Sequence, residues 1–281
     1  MKSEHTSADA APTPARPARA GKSGAGETVR FLLLLFLFAL LLRTFVAAPF
    51  FIPSGSMLPR MMIGDFLFVA KWPYGFSRFS FPVAIDFGGR ILERIPARGD
   101  VAVFREQTGE DHVVKRLVGL PGDTIQMVAG QLVLNGKPVP KIRIADYLAP
   151  RSPNMPCRYA SDEAAQPPVQ AAGETYCRYT RFRETLPGGR SYEVLDQGAS
   201  AGDDTEVFTV PEGHYFMLGD NRDDSADSRF PQERDGVGFL PADHLIGRAM
   251  IVFFSTDGSA EWTKPWTWFS AARPERIGGT F

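Results

Sequence analysis

The chain changes character at one segment, which reads Phe50-Phe-Ile-Pro-Ser-Gly-Ser-Met-Leu-Pro-Arg-Met-Met-Ile-Gly-Asp65. It begins where a long apolar run ends, and prolines at 53 and 59 bracket two serines, Ser54 and Ser56, that flank one glycine. Because proline fixes φ and has no N–H to donate, neither a regular helix nor a central strand fits here. We therefore expect a stiff, irregular segment that presents hydroxyl groups close to a membrane, which is a suitable place for a nucleophile.

The residues before this segment predict one membrane-spanning helix. Phe31 to Leu42 is unbroken apolar sequence, and Val29 to Pro49 has the roughly 20 residues that a bilayer crossing needs. Arg43 lies near the outer end, where its long side chain can reach the headgroups. Up to Arg30 the chain carries five cations against three anions, which predicts that the N-terminus stays in the cytoplasm.

The apolar run has two alternative interpretations. A cleavable signal peptide would use Val46 and Ala48 as its small-residue motif, but the arginine in the run and the long region before it argue against this. A buried helix of a soluble protein is disfavoured because leucine and phenylalanine occupy all of its sides. Residues 1 to 28 are rich in Ala, Pro, Ser, Gly and Thr and predict a disordered cytoplasmic tail.

The rest of the chain has the composition of a β protein. Of the 281 residues, Gly and Pro together number 50 (27 plus 23), which favours a loop-rich body. The pairs Ala129-Gly130 and Asn135-Gly136, between short strand-like runs, predict two hairpins. We expect a mainly β fold, in which the transmembrane helix at 29 to 49 precedes a large antiparallel β-sheet domain at 50 to 281. The formal net charge of -1 gives no electrostatic reason to expect nucleic-acid binding.

Residues 142 to 205 predict an inserted β-ribbon subdomain, since sustained alternation is lost there. The segment holds the two cysteines, Cys157 and Cys177. In an oxidising compartment they would form a disulfide, which would stabilise the fold by roughly 3 kcal/mol. In the cytosol they would instead be two free thiols, and the residues alone leave both interpretations open.

A serine hydroxyl becomes a nucleophile only beside a base. The histidines, at positions 5, 112, 214 and 244, have no recognisable triad setting. A lysine serves as a base when burial keeps it neutral. Lys115, within the strand-like run His-Val-Val-Lys-Arg-Leu-Val, is the stronger candidate, and Lys71 after another such run is the weaker one. Gly198-Ala-Ser-Ala-Gly202 matches a hydrolase motif but lacks its strand-turn-helix setting, so it predicts a flexible loop.

These residues together resemble the bacterial type I signal peptidases, or leader peptidases. After the membrane anchor, four motifs similar to the family's conserved boxes follow in the family's order: Pro53-Ser-Gly-Ser-Met-Leu-Pro59 with Ile63-Gly-Asp65, Arg98-Gly-Asp-Val-Ala-Val-Phe104, Lys115-Arg-Leu-Val-Gly-Leu-Pro-Gly-Asp123, and Gly219-Asp-Asn-Arg-Asp-Asp-Ser-Ala-Asp-Ser-Arg229. The resemblance covers residues 50 to 128 and 206 to 254, and the tail and the insertion only poorly.

The resemblance implies a serine endopeptidase with a Ser-Lys dyad. Ser56 would attack the scissile carbonyl, and Lys115 would be the general base. The backbone N–H of Ser56 and the hydroxyl of Ser54 would form the oxyanion hole. Ser225 would donate or accept a hydrogen bond with Lys115 to orient it. No cofactor and no metal are implied.

The resemblance also implies a buttress and a specificity. Asp227 and Arg229 would pair and support the loop that carries Ser225. Cleavage would follow Ala-x-Ala-like sequences, and an extended substrate would pair with the strand edge at 112 to 114. Shallow pockets for small side chains would be lined by Phe50, Ile52, Met57, Leu67, Val103 and Val114.

Three positions depart from the family's pattern. Val113 stands where the family often has an aromatic residue two positions before its lysine, which would reshape or enlarge the substrate pocket. Arg60 replaces a frequent threonine, and Asp224 replaces a frequent asparagine. None of the three is one of the implied catalytic groups.

The predicted setting is the inner (plasma) membrane, with the catalytic domain on the periplasmic or extracytoplasmic side. Its partners would be signal-peptide-bearing preproteins and the lipid bilayer. Two other classes share parts of the pattern. A self-cleaving repressor-type Ser-Lys protein would need a DNA-binding module, which the first 30 residues cannot form. A non-catalytic membrane-anchored β scaffold would not depend on Ser56 and Lys115.

Overall fold

A computed structural model describes residues 25–81, 88–109, 111–159, 165–261 and 263–281. The chain divides into two compact units, one up to Leu40 and the other from Leu41 to Phe281. The second unit holds every strand named below. The mainly β fold with one N-terminal apolar helix, predicted from the sequence, is confirmed.

The helix α1 spans Ala25–Leu41, and a π-helical turn at Leu42–Val46 follows it. None of the α1 residues is buried. The stretch Ala25–Val46 is 22 residues long and is long and apolar enough to cross a membrane. The helix begins ahead of the predicted Val29, with Glu27 in its first turn, where a carboxylate stabilises the N-terminal end. Most of the predicted disordered tail, residues 1 to 24, lies outside the described residues.

The second unit is built from short antiparallel strands. They are β1 (Ala47–Phe51), β2 (Asp65–Ala70), β3 (Val101–Arg105), β4 (His112–Gly119), β5 (Thr124–Val128), β6 (Gln131–Leu134), β7 (Lys137–Pro138), β8 (Lys141–Pro150), β9 (Val169–Ala171), β10 (Glu174–Thr185), β11 (Ser191–Leu195), β12 (Phe208–Thr209), β13 (His214–Leu218), β14 (Phe239–Pro241) and β15 (Leu245–Ser255). A short helix α2, Thr267–Ser270, follows them.

The largest sheet positions the site and has the order β1-β2-β15-β3-β4-β13-β14. Alternation along β2 turns Leu67 and Val69 into the core, whereas Phe66 and Phe68 face outward. Leu67 and Val69 pack in a cluster that includes Met57 and Met61 from the loop after β1. The irregular segment predicted around Pro53 therefore packs against the hydrophobic core of this sheet.

Two smaller sheets complete the unit. One has the order β12-β5-β6-β7, and its two hairpins turn at Ala129-Gly130 and Asn135-Gly136, where all four residues have positive φ. Both hairpins were predicted from these pairs, because such residues tolerate the left-handed backbone that tight turns need. The other sheet has the order β11-β10-β8, with β9 on β10, and falls within the region predicted as an insertion.

A disulfide joins Cys157 to Cys177, with Cα atoms 5.3 Å apart. Cys177 is fully buried in a cluster that also contains Leu58 and Met62. These two residues belong to the loop that carries Ser54 and Ser56. The insertion thus packs directly against the proposed nucleophile segment and is not a remote appendage.

Candidate active site

The structure brings the two predicted reacting groups together. Lys115 Nζ donates a hydrogen bond to Ser56 Oγ over 2.7 Å, although the residues are 59 positions apart in the chain. Ser56 lies in the turn after β1, and Lys115 lies on β4. Both side chains are buried, Ser56 with 7% and Lys115 with 4% of its surface exposed.

Burial lowers the pKa of Lys115 to about 8, from an ordinary value near 10.5. Removing the ammonium from water disfavours its charge, and this effect exceeds the opposing attraction of Asp227, Asp224 and Asp220. At neutral pH the amine is consequently deprotonated in a substantial minority of molecules, about one in ten. Such an amine can accept the proton of a serine hydroxyl.

Two hydrogen bonds fix the backbone around Ser56. The Asn221 N–H donates to the Ser56 carbonyl (3.0 Å), and Asn221 Nδ2 donates to the Gly55 carbonyl (3.1 Å). Both bonds are made by the loop that follows β13. Within the described part of the chain, the Ser56 N–H donates to no protein acceptor. It remains available for an oxyanion, and Ser54 Oγ lies 3.4 Å from Ser56 Oγ beside it.

The loop from Gly219 to Arg229 holds the predicted buttress. Asp227 and Arg229 form a fully buried ion pair at 2.9 Å, and Asp227 Oδ2 accepts the Gly219 N–H (3.0 Å). The charge of Arg229 and these hydrogen bonds outweigh burial and lower the pKa of Asp227 below its ordinary value. The carboxylate therefore stays charged behind the lysine.

The predicted hydrogen bond between Ser225 and Lys115 is absent. Ser225 Oγ is buried and has no partner, while the Lys115 hydrogen bond goes to Ser56. The hydroxyl lies against Gly219, only 2.1 Å from the point where a Cβ on that glycine would stand. Ser225 therefore adjoins the site without orienting the lysine in this structure.

Two further buried ion pairs, which were not predicted from the sequence, support the same loop. Arg116 binds Asp220 through two hydrogen bonds of 2.7 and 2.6 Å. Arg222 binds Glu184 of β10 in the same bidentate way, at 2.7 and 2.6 Å. Only their charge could have been read from the sequence, since the pairing joins residues 38 and 104 positions apart.

A groove of about 890 Å³ opens at Ser56. Four of the six predicted specificity residues line it: Phe50, Ile52, Met57 and Val114. Leu67 and Val103 do not line it, although they belong to the same buried cluster as Ile52 and Met57. Leu67 pairs with Phe50 and Val103 with Val114, so each shares a sheet face with a groove residue. They differ because they lie on inner strands, where neighbouring side chains cover them completely. The groove also holds side chains that were not predicted, among them Lys71, Phe79 and His112.

The groove runs between two strand edges. β1 pairs with β2 on one side only, and the pairs of β4 with β13 begin at Arg116. The earlier part of β4, from His112 to Lys115, therefore pairs with β3 alone. Phe50 on β1 and His112 on β4 face each other, with ring centroids 5.2 Å apart. An extended peptide placed between these edges would find unpaired backbone groups on both sides.

None of the described histidines contacts Ser56. His214 and His244 each use Nδ1 on a backbone carbonyl, and His112 packs on Phe50. His5 lies outside the described residues. The Gly198-to-Gly202 motif lies in a loop with no following helix, so it has no nucleophile-elbow geometry. Among the described residues there is no cluster of side chains that could hold a metal ion.

Comparison with known proteins gives one consistent match. The model of the family described as signal peptidase, peptidase S26 matches residues 25–254. Signal peptidase I of Rickettsia typhi is 35% identical over 229 residues, which cover 78% of this chain and 76% of that protein. Signal peptidase I of Rickettsia akari is 36% identical over the same length, covering 78% and 75%.

A crystal structure of a signal peptidase I from Enterococcus faecalis V583 also matches, at 25% identity, covering 55% of this chain and 97% of that one. Its TM-score is 0.29, which is too low to bear on the fold.

A mainly β body in which a buried lysine binds a serine that lines a groove, in a chain with these relatives, defines a serine endopeptidase. The chain belongs to the signal peptidase family, peptidase S26. Proteins of this family remove signal peptides from exported preproteins.

Proposed function

We propose that this protein cleaves preproteins after Ala-x-Ala-like sequences with Ser56 as nucleophile and Lys115 as general base. The observation that carries the proposal is the buried 2.7 Å hydrogen bond from Lys115 Nζ to Ser56 Oγ. No other described basic side chain bonds to that hydroxyl. The lowered pKa of Lys115 supports the same role, since only the neutral amine can act as a base.

The reaction follows from this geometry. The neutral Lys115 amine takes the Ser56 proton as Oγ attacks the scissile carbonyl carbon. The negative charge on the carbonyl oxygen is held by the Ser56 N–H and the Ser54 hydroxyl, and each such donor is worth roughly 3 kcal/mol. When the tetrahedral intermediate collapses, the Lys115 ammonium gives its proton to the leaving amine. Water then hydrolyses the acyl-enzyme with Lys115 again acting as base.

The groove accounts for the substrate class. Its walls near Ser56 are formed by Ile52, Met57 and Val114, so side chains of the substrate that enter there must be small. The unpaired edges of β1 and β4 would bind an extended substrate backbone through hydrogen bonds that do not depend on its side chains. Such binding tolerates the many different sequences of exported proteins.

Anchoring in the inner membrane is the second part of the proposal. Ala25–Val46 is long and apolar enough for one span, and the cations before it favour a cytoplasmic N-terminus. The catalytic unit is then extracytoplasmic, where the Cys157–Cys177 disulfide persists. Exposed aromatic side chains, such as Trp266 and Phe269, suit contact with the bilayer interface.

The test is cleavage of a purified preprotein in detergent by wild type, Ser56→Ala and Lys115→Ala. We expect a single cut after the Ala-x-Ala motif by wild type and none by either variant. Ser270→Ala and Lys137→Ala, which change exposed residues, serve as matched controls and should cleave normally. Full activity of Lys115→Ala would mean that another residue is the base. A folded wild type that never cleaves would favour the scaffold alternative.

A further inference from the structure

A second buried lysine lies in the groove away from the proposed dyad. Lys71 follows β2, has 5% of its surface exposed, and lines the groove. Its Nζ donates to the Ser80 carbonyl, its one hydrogen-bond partner among the described residues. An ammonium has three N–H donors, so at least one more is available to a molecule in the groove.

No carboxylate of the described residues forms an ion pair with Lys71. The charge that acts on it most is another cation, Arg43, which also lines the groove. The Arg43 side chain is exposed and forms no ion pair with a described residue. Among the described residues, this buried lysine has one neutral carbonyl as its hydrogen-bond partner, an arginine nearby and no carboxylate, which points to a further partner supplied by the ligand.

The register of β1 fixes where this pair of cations lies along a bound substrate. The Lys71 N–H donates to the Val46 carbonyl (3.1 Å), so Lys71 stands at the start of β1. Ile52, beside the nucleophile loop, is six residues further on (52 minus 46), which is about 20 Å of extended chain. A substrate lying along β1 with its scissile bond at Ser56 passes Lys71 about five or six residues before that bond.

The direction of the substrate follows from the chain itself. β1 begins at Ala47, directly after the apolar stretch Ala25–Val46. The apolar region of a signal peptide, about 7 to 15 residues long, precedes its small-residue cleavage motif. On the proposed function, that region lies in the membrane and therefore at the beginning of β1. There it must be helical, because a bilayer offers no other partner for backbone groups.

A helix that ends at this level presents carbonyls with no intrahelical partner and the negative end of its dipole. Lysine and arginine side chains are the groups that satisfy such carbonyls. We propose that Lys71, together with Arg43, binds the last carbonyls of the signal peptide's apolar helix. The site would thereby set the distance between the end of that helix and the cleaved bond. The inference rests on the proposed function and adds a second point of recognition to it.

Binding is measured so that it does not depend on catalysis. The Ser56→Ala protein and its double variant with Lys71→Met are titrated in detergent with a full-length preprotein and with a short peptide. The short peptide holds only the Ala-x-Ala motif and the next two residues. We expect Lys71→Met to weaken preprotein binding about 10-fold or more, the loss typical of a charged hydrogen-bond donor, and to leave the short peptide unaffected. Lys71→Arg should retain most of the affinity, and Lys137→Met is the matched exposed control.

Cleavage by Lys71→Met with Ser56 restored should show a raised KM for the preprotein, with kcat and its pH profile unchanged. Equal preprotein affinity of the Ser56→Ala protein with and without Lys71→Met would overturn the inference. An equal loss for both ligands would also overturn it, because the contact would then lie at the cleavage motif. Thermal unfolding of each variant separates these results from misfolding. If Lys71→Arg folds and binds no better than Lys71→Met, the cation has no such role.

Discussion

Lys115 is enclosed by protein, yet three carboxylates and one guanidinium act on its charge: Asp227, Asp224, Asp220 and Arg229. Desolvation outweighs the carboxylates, so the amine is easier to deprotonate than in water. Lowering its pKa from 10.5 to about 8 corresponds to about 3 kcal/mol of destabilisation of the ammonium form. The same burial that makes the amine a base therefore weakens the folded state.

Replacing Lys115 with methionine should abolish cleavage and stabilise the protein. The cost of burying the ammonium is removed. Losing the hydrogen bond to Ser56 offsets about 1 kcal/mol of that gain in stability. We expect the free energy of unfolding at pH 7 to rise by about 1 to 3 kcal/mol in urea titrations.

The pH dependence of this gain has a definite sign. Between about pH 8 and pH 10.5, Lys115 keeps its proton in the unfolded chain but has lost it in the folded protein. The free energy of unfolding of the wild type therefore rises with pH in this range. The advantage of Lys115→Met should shrink over that window. A variant less stable than wild type at pH 7 would show that the ammonium is stabilised by its surroundings.

Individual site residues could be predicted from the sequence where a short motif contains them. Ser54, Ser56 and Lys115 were predicted from short motifs, and the structure brings them together. The predicted hydrogen bond between Ser225 and Lys115 is absent from the structure, because it depends on a side-chain rotamer that no motif specifies. Leu67 and Val103 were assigned to the groove but are fully buried, although each shares a sheet face with a groove residue, Phe50 or Val114. Their burial depends on the order of the strands, which alternation along one strand does not specify.

At the scale of elements, the loop from Gly219 to Arg229 holds the nucleophile turn in place. A Cβ on Gly219 would stand 2.1 Å from Ser225 Oγ and 2.7 Å from the Ser56 carbonyl oxygen. Only glycine allows the two backbones to approach this closely. The hydrogen bonds from Asn221 to Gly55 and Ser56 depend on the same approach.

The change Gly219→Ala should therefore push the two loops apart. We expect kcat to fall about 100-fold, the usual result of a displacement of about 1 Å at a reacting atom. Steady-state kinetics on a preprotein, with circular dichroism to confirm folding, measure it. Gly26→Ala, at a glycine with open space around it, is the control. Unchanged kcat in Gly219→Ala would mean that the loop does not position Ser56.

Strands and hairpins were predictable because their signals are contiguous. Asn135-Gly136 indicates its turn without reference to the rest of the chain. The pairings of β15 with β2 and β3 were not predictable, since they join residues far apart in sequence whose alternation fits several partners. The groove between β1 and β4 follows from those pairings. The sequence therefore drew attention to Lys71 but could not locate it in the groove.

For the whole molecule, the insertion contributes to stability from a position behind the nucleophile turn. The disulfide closes 20 residues of chain, and Cys177 packs with Leu58 and Met62. The loop-entropy model gives about 3 kcal/mol for a closure of this length. The insertion therefore stabilises the turn from outside the catalytic sheet.

Reduction of the disulfide should lower the free energy of unfolding by about 2 to 4 kcal/mol. Cleavage well below the unfolding temperature should persist, because neither sulfur contacts the dyad. Thermal unfolding with and without a thiol reductant measures the loss, and the chain has no other cysteine for the reductant to act on. The double variant Cys157→Ala, Cys177→Ala should match the reduced protein. An unchanged unfolding temperature on reduction would contradict the stabilising role.

The central claim is that Lys115 must lose its proton before Ser56 can attack. Single-turnover cleavage of a saturating preprotein from pH 6 to pH 10 tests it most directly. The rate should rise about tenfold per pH unit at the acid end and level off above an apparent pKa near 8. A rate that stays flat from pH 6 to pH 9, with chemistry still limiting, would contradict the claim.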